Sequence, residues 1–365
     1  MSTPIPADAR PETYLPLLRG QRVAILSNHT GMVGEKHLLD ILLEHGIRVT
    51  LLFAPEHGFR GSAAAGEAIC DETDAATGLP IRSLYNHGFS RPAPSDLRRF
   101  DVLVVDLQDV GLRFYTHYVA MLRAMEACAD GGRKVVVLDR PNPNIHLVDG
   151  PVLEPSLRSD VGAIPVPVLH GLTLGELARM ANGEGWLECR SACELDVVPC
   201  AHYSRRMVYA PPVPPSPNLR SLRAVYLYPS LCPFEGTILS VGRGTEHPFL
   251  RYGHPDYPGR FRFTPASSVC AGQPCRGVDL SAIPLSEARR KGFSLEYIID
   301  AYRRMGRRED FFKPFFDKLV GRADIRPQIR AGATAEEFAA QWAPGLAAFR
   351  ALRKPYLLYG SVAER

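Results

Sequence analysis

The sequence predicts an open α/β sheet followed by a smaller α+β domain. In the first half of the 365-residue chain, short runs rich in Val, Ile and Leu alternate with segments of helical period, which is the pattern of βαβ units. After about residue 249 the composition changes to Gly/Pro-rich turns, short strand-like pieces and further helices. We therefore predict a parallel-sheet domain over 1–249 and a smaller domain over 250–365.

Five continuous apolar runs are the predicted strands of the sheet. Continuous rather than alternating apolar residues are typical of parallel strands that are covered on both faces. The runs lie at 23–26, 49–53, 102–105, 135–138 and 166–169.

Helices are predicted between and after these strands. The capping residues favour helices at 36–45 before Gly46 and at 118–129 before Gly131. Thr173-Leu-Gly-Glu176 resembles a capping box, and so does Thr334-Ala-Glu-Glu337 near the C-terminus. A proline-rich segment at 211–218 excludes regular helix, so we predict a connector or one wall of a site there.

Composition limits the function classes. The hydrophobic content of 45% is enough for a large core, and the net charge of +4 is spread along the chain, so we predict no nucleic-acid partner. The N-terminus lacks an export pattern and no apolar stretch is long enough to span a membrane, so we expect a cytoplasmic protein without a membrane partner. The eight cysteines lack zinc-site spacing, and we expect them to be reduced.

Polar side chains follow every predicted strand. Ligands of open parallel sheets bind beyond the carboxyl ends of the strands, and core packing does not require titratable groups at those positions. The residues are Asn28 and His29; Glu56 and His57; Asp106, Gln108 and Asp109; Asp139, Arg140 and Asn142; and His170. The sequence therefore predicts an active site at this edge of the sheet.

Several well-known motifs are absent from the sequence, and their absence excludes some classes of reaction. The chain has no G-x-G-x-x-G after the first strand, no P-loop and no G-x-S-x-G. This argues against nucleotide cofactors and a serine esterase. Acid/base chemistry by carboxylates and imidazoles, or metal-assisted hydrolysis, remains.

Several site candidates keep a structural alternative. Glu56, in Phe-Ala-Pro-Glu-His-Gly, points into the crevice or caps the following turn. Arg113 binds a substrate carboxylate or pairs internally with Asp106 or Asp109, while Tyr115 stacks on a sugar or packs in the core. The Asp139–Arg140 loop, and Glu235 and Arg243 among glycines, are consistent with either binding or structure.

Short motifs in one fixed order resemble a known family. They are Ser-Asn-His-Thr-Gly (27–31), Phe-Ala-Pro-Glu-His-Gly-Phe-Arg-Gly (53–61), Asp-Leu-Gln-Asp-Val-Gly-Leu-Arg-Phe-Tyr-Thr (106–116), Leu-Asp-Arg-Pro-Asn-Pro (138–143), Gly-Pro-Val-Leu (150–153), His-Gly-Leu-Thr-Leu-Gly-Glu-Leu-Ala (170–178), Pro-Pro-Ser-Pro-Asn (214–218), Phe-Glu-Gly-Thr (234–237) and Gly-Arg-Gly-Thr (242–245). With these motifs the chain resembles the exo-β-N-acetylmuramidases of NamZ type over almost its whole length.

The resemblance implies a fold and an activity. The fold is a Rossmann-like N-terminal domain and a smaller C-terminal domain with a cleft between them, and no cofactor is implied. The activity is hydrolysis that releases N-acetylmuramic acid from the non-reducing end of peptidoglycan-derived oligosaccharides, in cell-wall turnover or recycling. The family's glutamate corresponds to Glu56.

From this we expect Glu56 to be the general acid and Asp109 or Asp106 to be the second carboxylate. The lactyl carboxylate of the sugar needs a cation, for which Arg113 is favoured over Arg140 and Arg243. Further predicted substrate-binding residues are Asn28, His29, His57, Tyr115, Asn142, His170, Asn218 and Glu235. Inverting, retaining and substrate-assisted mechanisms all remain open.

Two other functions remain as alternatives. One is a metal-dependent amidase or deacetylase of cell-wall fragments that uses His29, His57 and Asp109, although no H-E-x-x-H spacing supports a metal. The other is a protein that binds muropeptides without turnover. The sequence predicts no particular oligomeric state.

Overall fold

The computed structural model of the chain describes residues 3–56, 58–59, 71–86 and 88–360. The strands are β1 (Arg22–Ser27), β2 (Met32–Val33), β3 (Lys36–His37), β4 (Arg48–Ala54), β5 (Glu72–Thr73), β6 (Pro80–Ser83), β7 (Val102–Asp106), β8 (Lys134–Leu138), β9 (Asp149–Val152), β10 (Pro167–Leu169), β11 (Leu195–Val198), β12 (Arg251–His254), β13 (Phe261–Phe263) and β14 (Cys275–Asp279).

The helices cover the sheet and form most of the C-terminal part. They are α1 (Pro11–Leu18), α2 (Leu38–Glu44), α3 (Pro94–Leu97), α4 (His117–Asp130), α5 (Leu174–Gly183), α6 (Leu222–Leu231), α7 (Leu285–Lys291), α8 (Glu296–Arg304), α9 (Phe315–Val320), α10 (Ile325–Ala331) and α11 (Ala335–Arg353). Within the described part of the chain, no helix is long and apolar enough to cross a membrane.

The central sheet has seven strands in the order β11-β8-β7-β1-β4-β6-β5. All neighbours are parallel except β5, which runs antiparallel to β6 at one edge. The six parallel strands follow the 3-2-1-4-5-6 order of Rossmann folds, which confirms the α/β prediction. The direction of winding reverses between β1 and β7, and the crevice of such a sheet opens at this switch point.

Four of the five predicted strands lie in this sheet, and the fifth prediction was wrong. The run at 166–169 contributes β10, which pairs antiparallel with β9 in a separate two-stranded sheet. Pro167 has no N–H with which to complete a central ladder. The other two parallel strands are β6 and β11, which were not predicted. They contain the charged residues Arg82 and Asp196, so neither is a continuous apolar run like those that identified the other strands.

The predicted helices are confirmed with small shifts at their ends. Helix α2 begins two residues later than expected because Lys36 and His37 form β3. Both capping boxes are present, with the Thr173 and Thr334 hydroxyls accepting from the N–H groups of Glu176 and Glu337.

Two apolar clusters lie on opposite faces of the sheet. One packs the sheet against α1 and α2, through residues such as Ile25, Leu39 and Val104. The other is larger and runs without interruption from Val105 on the sheet to Phe316 and Trp342 of the C-terminal helices. The three-stranded antiparallel sheet β12-β14-β13 borders this second cluster. The cleft described below therefore lies between parts of the chain that share one core.

Candidate active site

A cleft of about 620 Å³ opens at the carboxyl ends of β4, β6 and β7. Both halves of the chain line it, and its aromatic surface comes from Tyr85, Phe114, Tyr115, Tyr228 and Phe249. The polar side chains that line it include Glu56, Thr116, Asp160, Asn218, Arg220, Glu235 and Arg243. Apolar rings with a few converging polar groups are typical of a sugar-binding site.

Glu56 enters the cleft from the end of β4. Pro55 ends the strand, and the N–H of Gly58 donates to the Pro55 carbonyl with Gly58 at φ +79°, a turn that favours glycine. The Thr116 hydroxyl, directly before α4, donates to Glu56 Oε2 over 2.7 Å. The turn after the strand and this hydrogen bond together position the Glu56 carboxylate against the cleft.

Tyr85 and Asp160 line the same cleft as Glu56. Burial raises the pKa of the Tyr85 phenol, and the charges of Glu56 and Asp160 raise it further. Tyr85 therefore keeps its proton and faces two carboxylates. Asp160 sits in the tight turn 159–162, where Ser159 and Gly162 exchange backbone hydrogen bonds of 3.0 and 2.9 Å.

Glu235 and Arg243 form an ion pair on the C-terminal side of the cleft. Arg243 Nε and Nη2 donate to the two carboxylate oxygens of Glu235 over 2.5 and 2.9 Å. The guanidinium also lies 5.1 Å from the centre of the Phe249 ring. Both predicted residues are thus in the cleft, where they form a bidentate pair with each other.

The proline-rich segment 211–218 forms one wall of the cleft, with Ser216, Pro217 and Asn218 facing it. Tyr115 donates its hydroxyl hydrogen bond to the Pro215 carbonyl over 2.6 Å, and His29 Nε2 lies 3.0 Å from the Pro214 carbonyl oxygen. Tyr115 and His29 therefore hold this wall, and Tyr115 also contributes its surface to the cleft.

Asp106 and Arg140 lie away from the cleft, in a buried ion-pair network. Arg140 donates to Asp106 over 2.6 and 3.1 Å and also to Asp8 near the N-terminus. Arg140 is thus paired with these two carboxylates, and Asp139 instead accepts from Thr173, Gly175 and Tyr359. The network ties the N-terminal segment to the ends of β7 and β8.

Asp109 is buried and is not among the side chains that line the cleft. Its Oδ1 accepts from the Gly111 N–H over 2.5 Å, while its buried Oδ2 has no hydrogen-bond partner among the described residues. Burial raises the pKa of Asp109 to about 7. Burial raises the pKa of Tyr115, which lines the cleft, and the charges of Asp109 and Glu56 raise it further.

Arg113 is fully buried and lines no part of the cleft. Its guanidinium donates to the carbonyls of Pro151, Val166 and Leu319 over 2.7, 3.1 and 3.0 Å. Burial lowers the pKa of Arg113 to about 10. The contacts of Arg113 fit neither prediction, that it binds a substrate carboxylate or that it pairs with Asp106 or Asp109. Its guanidinium donates instead to backbone carbonyls from distant parts of the chain.

Three further predicted residues hold the loops around the cleft from within. Asn28 Oδ1 accepts from the Thr30 backbone N–H over 3.0 Å, and Asn142 Nδ2 donates to the Leu172 carbonyl over 2.8 Å. Burial, reinforced by the positive charge of Arg353, lowers the pKa of His170 to about 3, so this imidazole is neutral. His57 lies outside the described residues.

The described residues include no group of three or more His, Cys, Asp or Glu side chains arranged to hold a metal ion. Of the set in the metal hypothesis, His29 faces the proline-rich segment and Asp109 is buried. The seven cysteines in the described ranges are free thiols.

Family models match both parts of the chain. The model of the N-terminal domain of exo-β-N-acetylmuramidase NamZ matches residues 23–223, and the model of its C-terminal domain matches residues 226–359. The chain belongs to the NamZ family. The peptidoglycan β-N-acetylmuramidase NamZ of Bacillus subtilis (strain 168) is 38% identical to it over 377 residues, which cover 95% of this chain and 89% of the relative.

Solved structures agree with the NamZ assignment of the fold. One DUF1343 family protein from Bacteroides fragilis NCTC 9343 is 47% identical and superimposes with a TM-score of 0.92 over 99% of this chain and all of the other. A second from the same organism is 29% identical, with a TM-score of 0.82 over 98% of this chain and 99% of the other. The two NamZ models meet between residues 223 and 226, while the boundary predicted near residue 249 stays a prediction.

Sequence reasoning missed several residues of this NamZ-family cleft. Thr116 stands inside a motif that was singled out, but its hydroxyl carries no signal of its own. Tyr85, Asp160 and Arg220 lie in loops between predicted elements, and no strand end or glycine cluster marks them. Only the fold brings these loops to Glu56.

Proposed function

We propose that this chain is an exo-β-N-acetylmuramidase, a glycosidase that releases N-acetylmuramic acid from the non-reducing end of peptidoglycan-derived oligosaccharides. The observation that carries the proposal is the position of Glu56. The carboxylate stands at the end of β4, oriented by Thr116, in an aromatic cleft at the switch point of a NamZ-family sheet.

Glu56 is the general acid of the proposed reaction. Cleavage of a glycosidic bond requires a proton on the departing oxygen while positive charge develops on the sugar ring. Glu56 supplies that proton, and the Thr116 hydroxyl fixes the orientation of the carboxyl group. Tyr85 and Phe89 are partly exposed in the cleft and provide the ring surfaces against which the sugar packs.

Recognition of N-acetylmuramic acid requires a cation, because its lactyl carboxylate distinguishes it from N-acetylglucosamine. Among the described residues, the guanidinium groups that line the cleft are Arg220 and Arg243. Arg220 is exposed, and its Nε donates to the Pro217 carbonyl over 2.7 Å. We assign the lactyl carboxylate to this pair, with Arg220 as the first contact because Arg243 is already paired with Glu235.

The test of the function is a release assay. Purified protein is incubated with a synthetic β-N-acetylmuramic glycoside and with the matching β-N-acetylglucosaminide, with and without a chelator. We expect release of free N-acetylmuramic acid that is selective for the muramic substrate and insensitive to the chelator. Glu56→Gln is expected to lower kcat on the order of a hundredfold or more.

The same assay can also contradict the proposed function. A wild-type protein that releases sugar from neither substrate refutes the glycosidase. Full activity of Glu56→Gln refutes its role as acid, and loss of activity with the chelator favours the metal-dependent alternative. Arg220→Gln is expected to reduce the preference for the muramic over the glucosamine substrate about tenfold, consistent with loss of one charged contact.

The cytoplasmic location also stays a proposal. If the enzyme acts on imported fragments, fractionation of the native host with an antibody against the chain locates it with cytoplasmic markers. Its appearance in the culture medium or the cell envelope would contradict this location.

A further inference from the structure

The cleft needs a second carboxylate, and three acidic side chains among the described residues line it. These are Glu56, Asp160 and Glu235. Most glycosidases that use a general acid pair it with a second carboxylate that activates water or stabilises the sugar cation. Because Glu56 is the proposed acid, the choice lies between Asp160 and Glu235.

Glu235 is committed to Arg243. Both of its carboxylate oxygens accept from that guanidinium, in a bidentate pair of 2.5 and 2.9 Å. Accepting a proton from water would weaken two charge-assisted hydrogen bonds at once. Glu235 is therefore suited to fixing Arg243 rather than to acting as a base.

Asp160 is in the opposite situation. Its carboxylate forms neither an ion pair nor a hydrogen bond with any other residue in the described ranges. Its Oδ2 lies 3.2 Å from the position that a Cβ at residue 88 would take, so the missing side chain of Gly88 keeps this side of the carboxylate uncrowded. The lone pairs of Asp160 are available to a water molecule in the cleft.

The backbone holds Asp160 in this position. Two hydrogen bonds between Ser159 and Gly162 close the turn, and Arg158 Nε donates to the Ala163 carbonyl over 2.8 Å across its base. A carboxylate on a closed turn is positioned without a side-chain partner that would compete for its oxygens. Such positioning is what catalysis by a fixed base requires.

Tyr85 is influenced by the charges of both Asp160 and Glu56. Both carboxylates act on its phenol and raise the pKa of Tyr85 beyond the effect of burial. No hydrogen bond joins the two carboxylates to each other in the described structure. Glu56 and Asp160 line the same cleft as separate side chains, so one can protonate the leaving oxygen while a water stands at the other, which is the arrangement that an inverting glycosidase uses.

We propose that Asp160 is the general base of the reaction and that the enzyme inverts the anomeric configuration, an inference that rests on the proposed glycosidase function. Asp160 removes a proton from water while the water oxygen forms a bond to the anomeric carbon. The bond from that carbon to the leaving oxygen breaks, and Glu56 gives its proton to that oxygen. Asp160 then loses its proton to solvent and Glu56 regains one, so both groups return to their starting states.

The experiment compares Asp160→Asn, Asp160→Ala and Glu56→Gln on two β-N-acetylmuramic glycosides, one with a sugar leaving group and one with an activated phenol. We expect Asp160→Asn to lower kcat by roughly 10²- to 10⁴-fold on both substrates, with little change in KM. Glu56→Gln should lose less on the activated phenol, which departs without a proton. Added azide or formate should restore part of the Asp160→Ala rate, because a small anion fills the space of the carboxylate.

The matched control is a substitution in the same turn, at the residue next to Asp160. Ser159→Ala changes the adjacent side chain, whose hydroxyl has no hydrogen-bond partner in the described structure, and should leave kcat unchanged. Thermal unfolding of all variants monitors folding. Proton NMR of the wild-type reaction should show α-N-acetylmuramic acid as the first product from the β-glycoside.

The outcomes separate the two levels of the proposal. A wild-type enzyme without release overturns the glycosidase function and the role of Asp160 with it. An active wild type with Asp160→Asn within about threefold of its kcat overturns the role of Asp160 alone, given that general-base catalysis contributes at least about a hundredfold. A β-configured first product overturns inversion and therefore the general base.

Discussion

At the scale of single residues, the surroundings of an aspartate decide what its carboxyl group can do. Asp106 is buried and balanced by Arg140, Asp109 is buried without a cation, and Asp160 faces the cleft. The sequence favoured Asp106 and Asp109 because they follow a strand directly. Position along the chain does not reveal whether a carboxyl group faces solvent or the interior, so Asp160 received no such signal.

The buried carboxyl group of Asp109 makes a testable contribution to stability. Its pKa is raised from 3.8 to about 7 by burial, so between these values the folded protein binds more protons than the unfolded chain. The folded state therefore loses stability as pH rises through this window. We expect Asp109→Asn to gain stability over wild type between pH 5 and pH 8, by on the order of 2 kcal/mol.

Urea unfolding of both proteins at pH 5 and pH 8 measures this difference. Asn keeps the acceptor for the Gly111 N–H and cannot ionise, so it isolates the effect of charge. A difference between the two proteins that does not change with pH would show that Asp109 titrates normally.

Thr116 gives a second prediction at this scale. Its hydroxyl donates to Glu56 and makes no capping hydrogen bond to α4, so its removal should affect the carboxylate more than the helix. We expect Thr116→Val to lower kcat about tenfold or more, because this hydrogen bond strengthens as Glu56 gives up its proton and becomes charged. Thr116→Ser, which keeps the hydroxyl, should retain most of the activity, and equal losses in both variants would contradict the role of the hydrogen bond.

At the scale of elements, the sequence predicts those that carry their own local signal. The strands at the centre of the sheet are continuous apolar runs, and α5 and α11 begin with capping boxes. The outer strands β6 and β11 are only partly buried and carry charged residues, which removes the signal. Likewise Glu56, which follows a central strand, could be chosen from the sequence, whereas the loops with Tyr85 and Asp160 could not.

The proline-rich segment 211–218 supplies a prediction for an element. It has no regular hydrogen-bonded structure of its own, and the Tyr115 hydroxyl is one of the groups that hold it. Tyr115→Phe removes that donor and leaves the Pro215 carbonyl without it. We expect KM for the muramic substrate to rise several-fold, since one neutral hydrogen bond is worth about 1 kcal/mol, with a smaller effect on kcat.

Tyr203→Phe is the matched control for this change. Its hydroxyl also makes a buried hydrogen bond to a backbone carbonyl, that of Asn142, but away from the cleft. It should lower stability without raising KM. A similar rise in KM for both variants would argue against a specific role of the Tyr115 contact.

At the scale of the whole molecule, buried arginines connect segments that are distant in the chain. Arg140 joins the N-terminal Asp8 to Asp106, and Arg113 joins the Leu319 carbonyl at the end of α9 to the loops around β9 and β10. The sequence offered both arginines as candidates for the substrate carboxylate, with internal pairing as the alternative. The sequence around an arginine does not reveal whether its guanidinium binds a ligand or donates to backbone carbonyls.

Replacing Arg113 tests its role in the whole molecule. Arg113→Met removes the donor for three buried carbonyls while keeping an apolar side chain of similar length. We expect the free energy of unfolding to fall by about 3–5 kcal/mol, because three buried carbonyls lose their charged donor at a cost of about 1–3 kcal/mol each. The folded variant should keep its preference for the muramic over the glucosamine substrate. Unchanged stability with a lost preference would instead assign Arg113 to the sugar.

The proline-rich segment has a further consequence for substrates that carry a stem peptide. Five of its eight residues are proline and have no backbone N–H. An extended peptide aligned along this side of the cleft would find carbonyl groups but almost no donors for its own carbonyls, so it cannot add as a strand. On the proposed function, this wall recognises the sugar and does not hold the peptide, whose path must leave the cleft by another side.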